Sequence, residues 1–250
     1  MLPERPTERV VVYALDTIDL ERMEYDESLD PRLTYAAVTN ATVIDPGDTL
    51  QNELLRQGLL IAGNILVQNP YRPQQYAVIS EADEKFALDK FFIFSLLCQQ
   101  LGAQAVQIRA LEQTRKGVSR KVTVEGGNVL SGAKGRVQGL SNAAEAILSE
   151  QNLSDTFAGA APDIGAAEDL LSRHRLGEDP MLRSLVDSRA HLANPHRTRH
   201  VSVDLSRETA RILAMAAEVK TPGFFKLQAN ASKIESASIR LRVDYDVTFP

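Results

Sequence analysis

Residues 239–249 alternate without a break. Ile239, Leu241, Val243, Tyr245, Val247 and Phe249 are apolar, and Arg240, Arg242, Asp244, Asp246 and Thr248 between them are polar. A period of two sends successive side chains to opposite faces of a strand. Eleven residues are about twice the length of an ordinary strand, so one long face must meet a core while the other meets water. A parallel strand covered on both sides would be apolar on both faces. The sheet holding this strand is therefore predicted to be antiparallel.

A second stretch of period two begins at Ala105. Val106, Ile108 and Ala110 fall on one face, and Gln107, Arg109 and Leu111 on the other. The basic turn Arg115-Lys116-Gly117 and the run Lys121 to Glu125 come next, which predicts a two-stranded antiparallel ribbon with a basic tip. Shorter runs of strand composition occur at Val10 to Ala14, Tyr35 to Ile44, Gln75 to Ile79 and Val201 to Leu205.

Between the strands the period is helical. Asp48, three residues before Gln51, has capping-box spacing, and Leu50, Leu54, Ile61 and Ile65 predict a helix as far as Gln68. Gly58 and Gly63 would lie inside it, where close packing against another backbone would explain them. Ser80 opens a second helix to about Leu101, with Gly102 placed as a left-handed stop. This is the most apolar segment of the chain and is predicted to be the central core helix. Further helices are predicted at Asn142 to Ser149, Ala167 to His174, Met181 to Leu192 and Arg207 to Val219. Residues 152–167 are rich in Ala, Gly, Ser and Asp and are predicted to form a flexible loop. Strands and helices intersperse without a steady βαβ rhythm. The predicted class is α+β: one domain over residues 1–250, a largely antiparallel sheet with several packed helices, and a long C-terminal amphipathic strand.

Composition, with 44% hydrophobic and 24% charged residues, permits a sizeable core without disulfides. The single cysteine, Cys98, sits among Phe91, Phe92, Ile93, Phe94, Leu96 and Leu97 and is expected to be a buried, inert thiol. No apolar run approaches the roughly 20 residues of a membrane span, and the N-terminus lacks the pattern of a secretory signal. The expected location is cytoplasmic. Charge is uneven: residues 1–105 hold 8 Lys and Arg against 16 Asp and Glu, and the remainder 20 against 17. Such halves can meet across a self-assembly contact or simply be solvated.

All four histidines lie between residues 174 and 200, among six arginines. Guanidinium forks and imidazoles together recognise phosphate, so Arg173, His174, Arg175, His196, Arg197, Arg199 and His200 form a candidate anion-binding set. The segment lacks the aromatic platforms that single-stranded nucleic acid favours, and a solvated loop beside a strand has the same composition. His196 and His200 stand four apart, but the HExxH spacing is absent and the intervening arginines repel a cation, so no metal site is assigned. The basic residues of the ribbon, Arg115, Lys116, Arg120, Lys121, Lys134 and Arg136, can protect an edge or meet an acidic neighbour. Asp244 and Asp246 share a face with Arg240 and Arg242 and read as cross-strand charge pairs.

No cofactor is implied, because GxGxxG, P-loop and GxSxG patterns are missing. No catalytic residue can be nominated, and the pattern leans away from an enzyme. The first functional reading is a non-enzymatic assembly or interaction protein that self-associates or binds an acidic partner. The second is a nucleic-acid or phosphate-binding protein, with or without catalysis, using segment 173–200. The third is a soluble protein that inserts amphipathic strands into a membrane, although a half-buried sheet gives the same alternation and disfavours that partner.

Overall fold

In a computed structural model, residues 10–27, 34–38, 49–115, 117–125, 128–129, 140–149, 154–191, 197–217 and 239–250 are described. The expected continuation of a strand to Ile44, the Asp48 cap, Lys116, Lys134, Arg136 and residues 152–153 of the loop lie outside them. The chain divides into two compact units, residues 1–83 with 208–238 and residues 84–207 with 239–250.

The first unit is built on a four-stranded sheet. Strand β1 (Val11–Asp16) leads into helix α1 (Thr17–Tyr25), which is capped by the Asp16 carboxylate accepting from the Asp19 amide at 2.8 Å. Strand β2 (Thr34–Val38) then lies parallel to β1, as a helical crossover allows. Helix α2 (Thr49–Arg56), strand β3 (Ile65–Gln68) and strand β4 (Tyr76–Val78) come after it, and the sheet order is β2-β1-β3-β4. Val11 to Leu15 are all buried because β1 is a central strand covered on both faces. Val12 and Ala14 pack with Ala36, Leu54, Leu60, Leu66 and Tyr76.

The helix expected to run from 48 to 68 is shorter in the structure. It stops at Arg56, and Ile65 to Gln68 form a strand. The Leu59 amide donates to Leu54 O at 2.9 Å and the Gly58 amide to Leu55 O at 3.0 Å, with Gly58 at φ +68°. This double closure through a left-handed glycine is a Schellman stop. Gly58 and Gly63 are thus turn residues with open space around them rather than close-packing positions. Leu54, Ile61 and Ile65 fit a helical period only if the stop signal at Gly58 is ignored.

The remaining elements are helix α3 (Ile79–Gln100), strands β5 (Ala105–Arg115), β6 (Val118–Glu125) and β7 (Asn128–Val129), helix α4 (Asn142–Ile147), strand β8 (Ser154–Thr156), helices α5 (Ile164–Arg173) and α6 (Pro180–Ala190), strand β9 (Thr198–Asp204), helix α7 (Arg207–Ala217) and strand β10 (Ile239–Thr248). Within the stretch expected to be a loop, β8 pairs with β5 and α5 begins three residues before Ala167. The sheet of the second unit runs β7-β6-β5-β10-β9, with β8 also paired to β5. Every pairing in it is antiparallel. The fold is α+β with two mostly antiparallel sheets, β1–β2 being the parallel exception among the described strands.

Strand β10 is an interior strand, between β5 and β9, and Ile239, Leu241, Val243, Tyr245, Val247 and Phe249 are all buried, as the alternation predicts. Tyr245 packs on α3, its ring centroid 4.4 Å from that of Phe94, and the Arg189 guanidinium of α6 lies over Phe249, 4.2 Å from its ring centroid. The expected faces of β5 need correction beyond Arg109. A β-bulge shifts the register, so that Val243 faces Leu111 and Tyr245 faces Ile108. The extra residue reverses the parity of the strand beyond it, and Leu111 and Gln113 join Val106 and Ile108 in the interior. Gln113 Oε1 is satisfied there by the Ser141 amide at 2.7 Å, at the N-cap of α4. Helix α3 ends with the Ala103 amide on Cys98 O and the Gly102 amide on Gln99 O, both at 3.0 Å, and Gly102 at φ +78° is the expected stop. No helix among the described residues is long and apolar enough to cross a membrane.

Candidate functional site

The seven residues of the candidate anion set are dispersed by the elements that carry them. Arg173 is exposed in the last turn of α5, and His174 is its C-cap. Arg175 adopts φ +56°, with its amide on Ser172 O at 3.1 Å and the Leu176 amide on Leu171 O at 2.8 Å. It is the left-handed residue of another Schellman stop. Its place is explained by chain reversal between α5 and α6, without a ligand.

On β9, neighbours in sequence point to opposite faces. Arg199 reaches α6, donating from Nη1 to Ser184 O at 2.8 Å and from Nη2 to Ser184 Oγ at 2.7 Å. His200 faces the other way, with Nδ1 3.1 Å from Asp246 Oδ1. Arg197 is exposed, and its carbonyl accepts the Phe249 amide at 2.8 Å. His196 lies outside the described residues. Arg199 and His200 therefore do not converge on one ligand.

The outer face of the sheet is a ladder of charge pairs. Asp246 takes Arg109 on one oxygen and His200 on the other. Burial opposes ionisation of this carboxyl, but hydrogen bonds from His200 and Arg109 and the nearby positive charge hold it below the usual range. Asp244 accepts Ser202 Oγ at 2.6 Å and lies 3.9 Å from Lys121 Nζ. The cross-strand pairing expected for both aspartates is present. No trio of metal-ligating side chains occurs among the described residues.

Two features are not foreshadowed by any sequence motif. Lys90, in the middle of α3, is fully buried; its Nζ donates to Asp179 Oδ2 and to the carbonyl of Asp204, each at 2.8 Å. Asp179 Oδ1 meanwhile caps α6, accepting the amides of Met181 at 3.0 Å and Leu182 at 3.2 Å. Burial works against charge on Asp179, yet Lys90 and the two amides outweigh it and lower its pKa. The second feature is the outer line of α3. The helix buries Phe86, Phe91, Ile93, Phe94, Leu97 and Cys98, but Phe92 is 48% and Leu96 47% exposed, with Leu88 half-buried one turn before them. Exposed Glu81 and Lys85 precede this line and exposed Gln99 comes after it, so the outer face is polar at its ends and apolar in its middle, where water rather than core meets the side chains unless something covers them. The positions 88, 92 and 96 give that signal on a helical projection. Cys98 is buried and its thiol is pushed up by desolvation, with the charge of Asp155 adding to the effect.

No protein family, no curated protein and no solved structure matches this chain.

Proposed function

We propose that this chain is a non-enzymatic assembly protein that pairs with a second copy of itself through the outer line of α3. The observation that carries the reading is the exposure of Phe92 and Leu96 on a helix whose other faces are core. The line Leu88, Phe92, Leu96 is symmetric about Phe92. In a two-fold crossing at that residue, Leu88 meets the partner's Leu96, and Asp89 and Lys85 lie opposite Ser95 and Gln99, so no like charges face each other. The uneven charge of the sequence adds long-range attraction between unlike regions of two copies.

Light scattering on the purified chain over a protein and salt series tests this. A dimer is expected that weakens as salt screens the charge component. Phe92→Glu should raise its dissociation constant by at least about 30-fold, the effect of losing an interface anchor. A monomer at high protein concentration and low salt, or a dimer indifferent to Phe92→Glu, overturns the reading.

A further inference from the structure

The second unit carries an open cleft of about 300 Å³, bounded by the start of α6 and by β9, β10 and the first residue of α7. Its charged lining is Asp179, Asp204, Arg207 and Arg242, with Ser202 between them. Asp179 is engaged on both oxygens and the exposed Asp204 on one. Asp179 takes Lys90 on one oxygen and two amides of α6 on the other, and Asp204 Oδ1 takes the Ser206 amide at 3.0 Å.

The guanidinium groups are not engaged in the same way. Arg242 Nε donates to Ser202 Oγ at 2.5 Å, and Ser202 passes its own proton toward Asp244. Neither Arg242 nor the half-buried Arg207 has an ion pair among the described residues. A guanidinium offers five N–H donors in a planar fork and no acceptor. Beside these carboxylates the two guanidinium groups still offer N–H donors that no carboxylate among the described residues takes in an ion pair, and a two-oxygen anion is their natural complement. Pro180 and Met181 supply an apolar wall on the α6 side, with Met181 37% exposed.

We propose that this cleft binds a small organic anion, a phosphate monoester or carboxylate whose oxygens are gripped by Arg207 and Arg242 and whose apolar body lies on Met181. The volume is at the lower end of that of small-molecule sites, which suits one ring or short chain rather than a polymer. None of these residues belongs to the α3 line, so the site is independent of self-association.

Methyl-labelled methionine reports on it directly, since the chain has four methionines and Met181 lines the cleft. Phenyl phosphate, benzoate and inorganic phosphate are titrated at matched ionic strength, with phenol as the uncharged control. A saturable shift of the Met181 methyl with an aryl anion is expected, and the ratio of the two aryl affinities identifies the preferred head group. Arg207→Gln and Arg242→Gln should each weaken binding at least about tenfold, the loss of one charge-assisted contact. Met181→Ala, assayed by competition between the anions, should weaken the aryl ligands more than inorganic phosphate. The proposal is overturned if no aryl anion shifts Met181 at millimolar concentration, if phenol binds equally well, or if the double arginine variant binds as the wild type does.

Discussion

Lys90 Nζ lies 2.8 Å from Asp179 Oδ2, and both side chains are buried. The pair fastens the middle of α3 to the N-terminus of α6 and, through the Asp204 carbonyl, to the end of β9. Breaking one partner leaves an uncompensated charge in the interior. Lys90→Met should therefore cost about 3–5 kcal/mol in urea unfolding. Adding Asp179→Asn should recover part of that loss, because the orphaned charge is gone while an N-capping side chain remains. Equal stability of Lys90→Met and wild type would show that the pair contributes nothing.

The same pair fixes a pH dependence. An unfolded aspartate titrates near about 3.9, and the folded Asp179 titrates lower because Lys90 and the α6 amides prevail over desolvation. Its contribution is complete above the unfolded value and is lost as pH falls through the folded one. Acid unfolding monitored by circular dichroism should therefore show stability falling below about pH 4, with a shallower slope in Asp179→Asn. Superimposable slopes would exclude Asp179 as a contributor.

What the sequence made legible divides along physical lines. β10 is readable because its alternation is strict and its inward residues meet one core. β5 is readable only as far as Arg109, since the bulge there is set by pairing with β10, which is distant in sequence. Lys90 looks like a polar interruption of an apolar helix, and nothing near it in sequence names a partner 89 residues away. The His/Arg segment looks concentrated because it is dense in sequence. A strand then sends Arg199 and His200 to opposite faces, and Arg175 serves the chain reversal after α5. Arg207 and Arg242 lie outside that segment, and only β9–β10 pairing and the start of α7 bring them to one cleft.

The left-handed stops give a graded test. Gly58 would meet nothing with an added Cβ, so Gly58→Ala should cost only the left-handed penalty, about 1–2 kcal/mol. At Gly102 the same atom would lie 2.1 Å from Ala160 O, so Gly102→Ala should be worse than Gly58→Ala. Arg175 is the reverse case, a residue with a Cβ held at φ +56°. Arg175→Gly should stabilise by about 0.5–1 kcal/mol, relief of backbone strain exceeding the added freedom of the unfolded chain. Thermal melts of the three variants would settle the order, and a destabilised Arg175→Gly would mean that its side chain matters more than its backbone.

Tyr245 separates packing from polarity in the core. Its ring lies 4.4 Å from that of Phe94 and 6.3 Å from that of Phe91, between centroids, and it is 1% exposed. Its hydroxyl is buried with no hydrogen-bond partner among the described residues, and desolvation drives its pKa well upward. The ring contributes while the oxygen costs. Tyr245→Phe should thus be neutral or stabilising by up to about 1–2 kcal/mol, since it removes an unsatisfied polar group without changing shape. Tyr245→Ala should cost about 3–5 kcal/mol, the range for deleting a buried aromatic side chain. Loss of stability in Tyr245→Phe would mean that the hydroxyl has a partner, such as a buried water, and a high-resolution crystal structure would locate it.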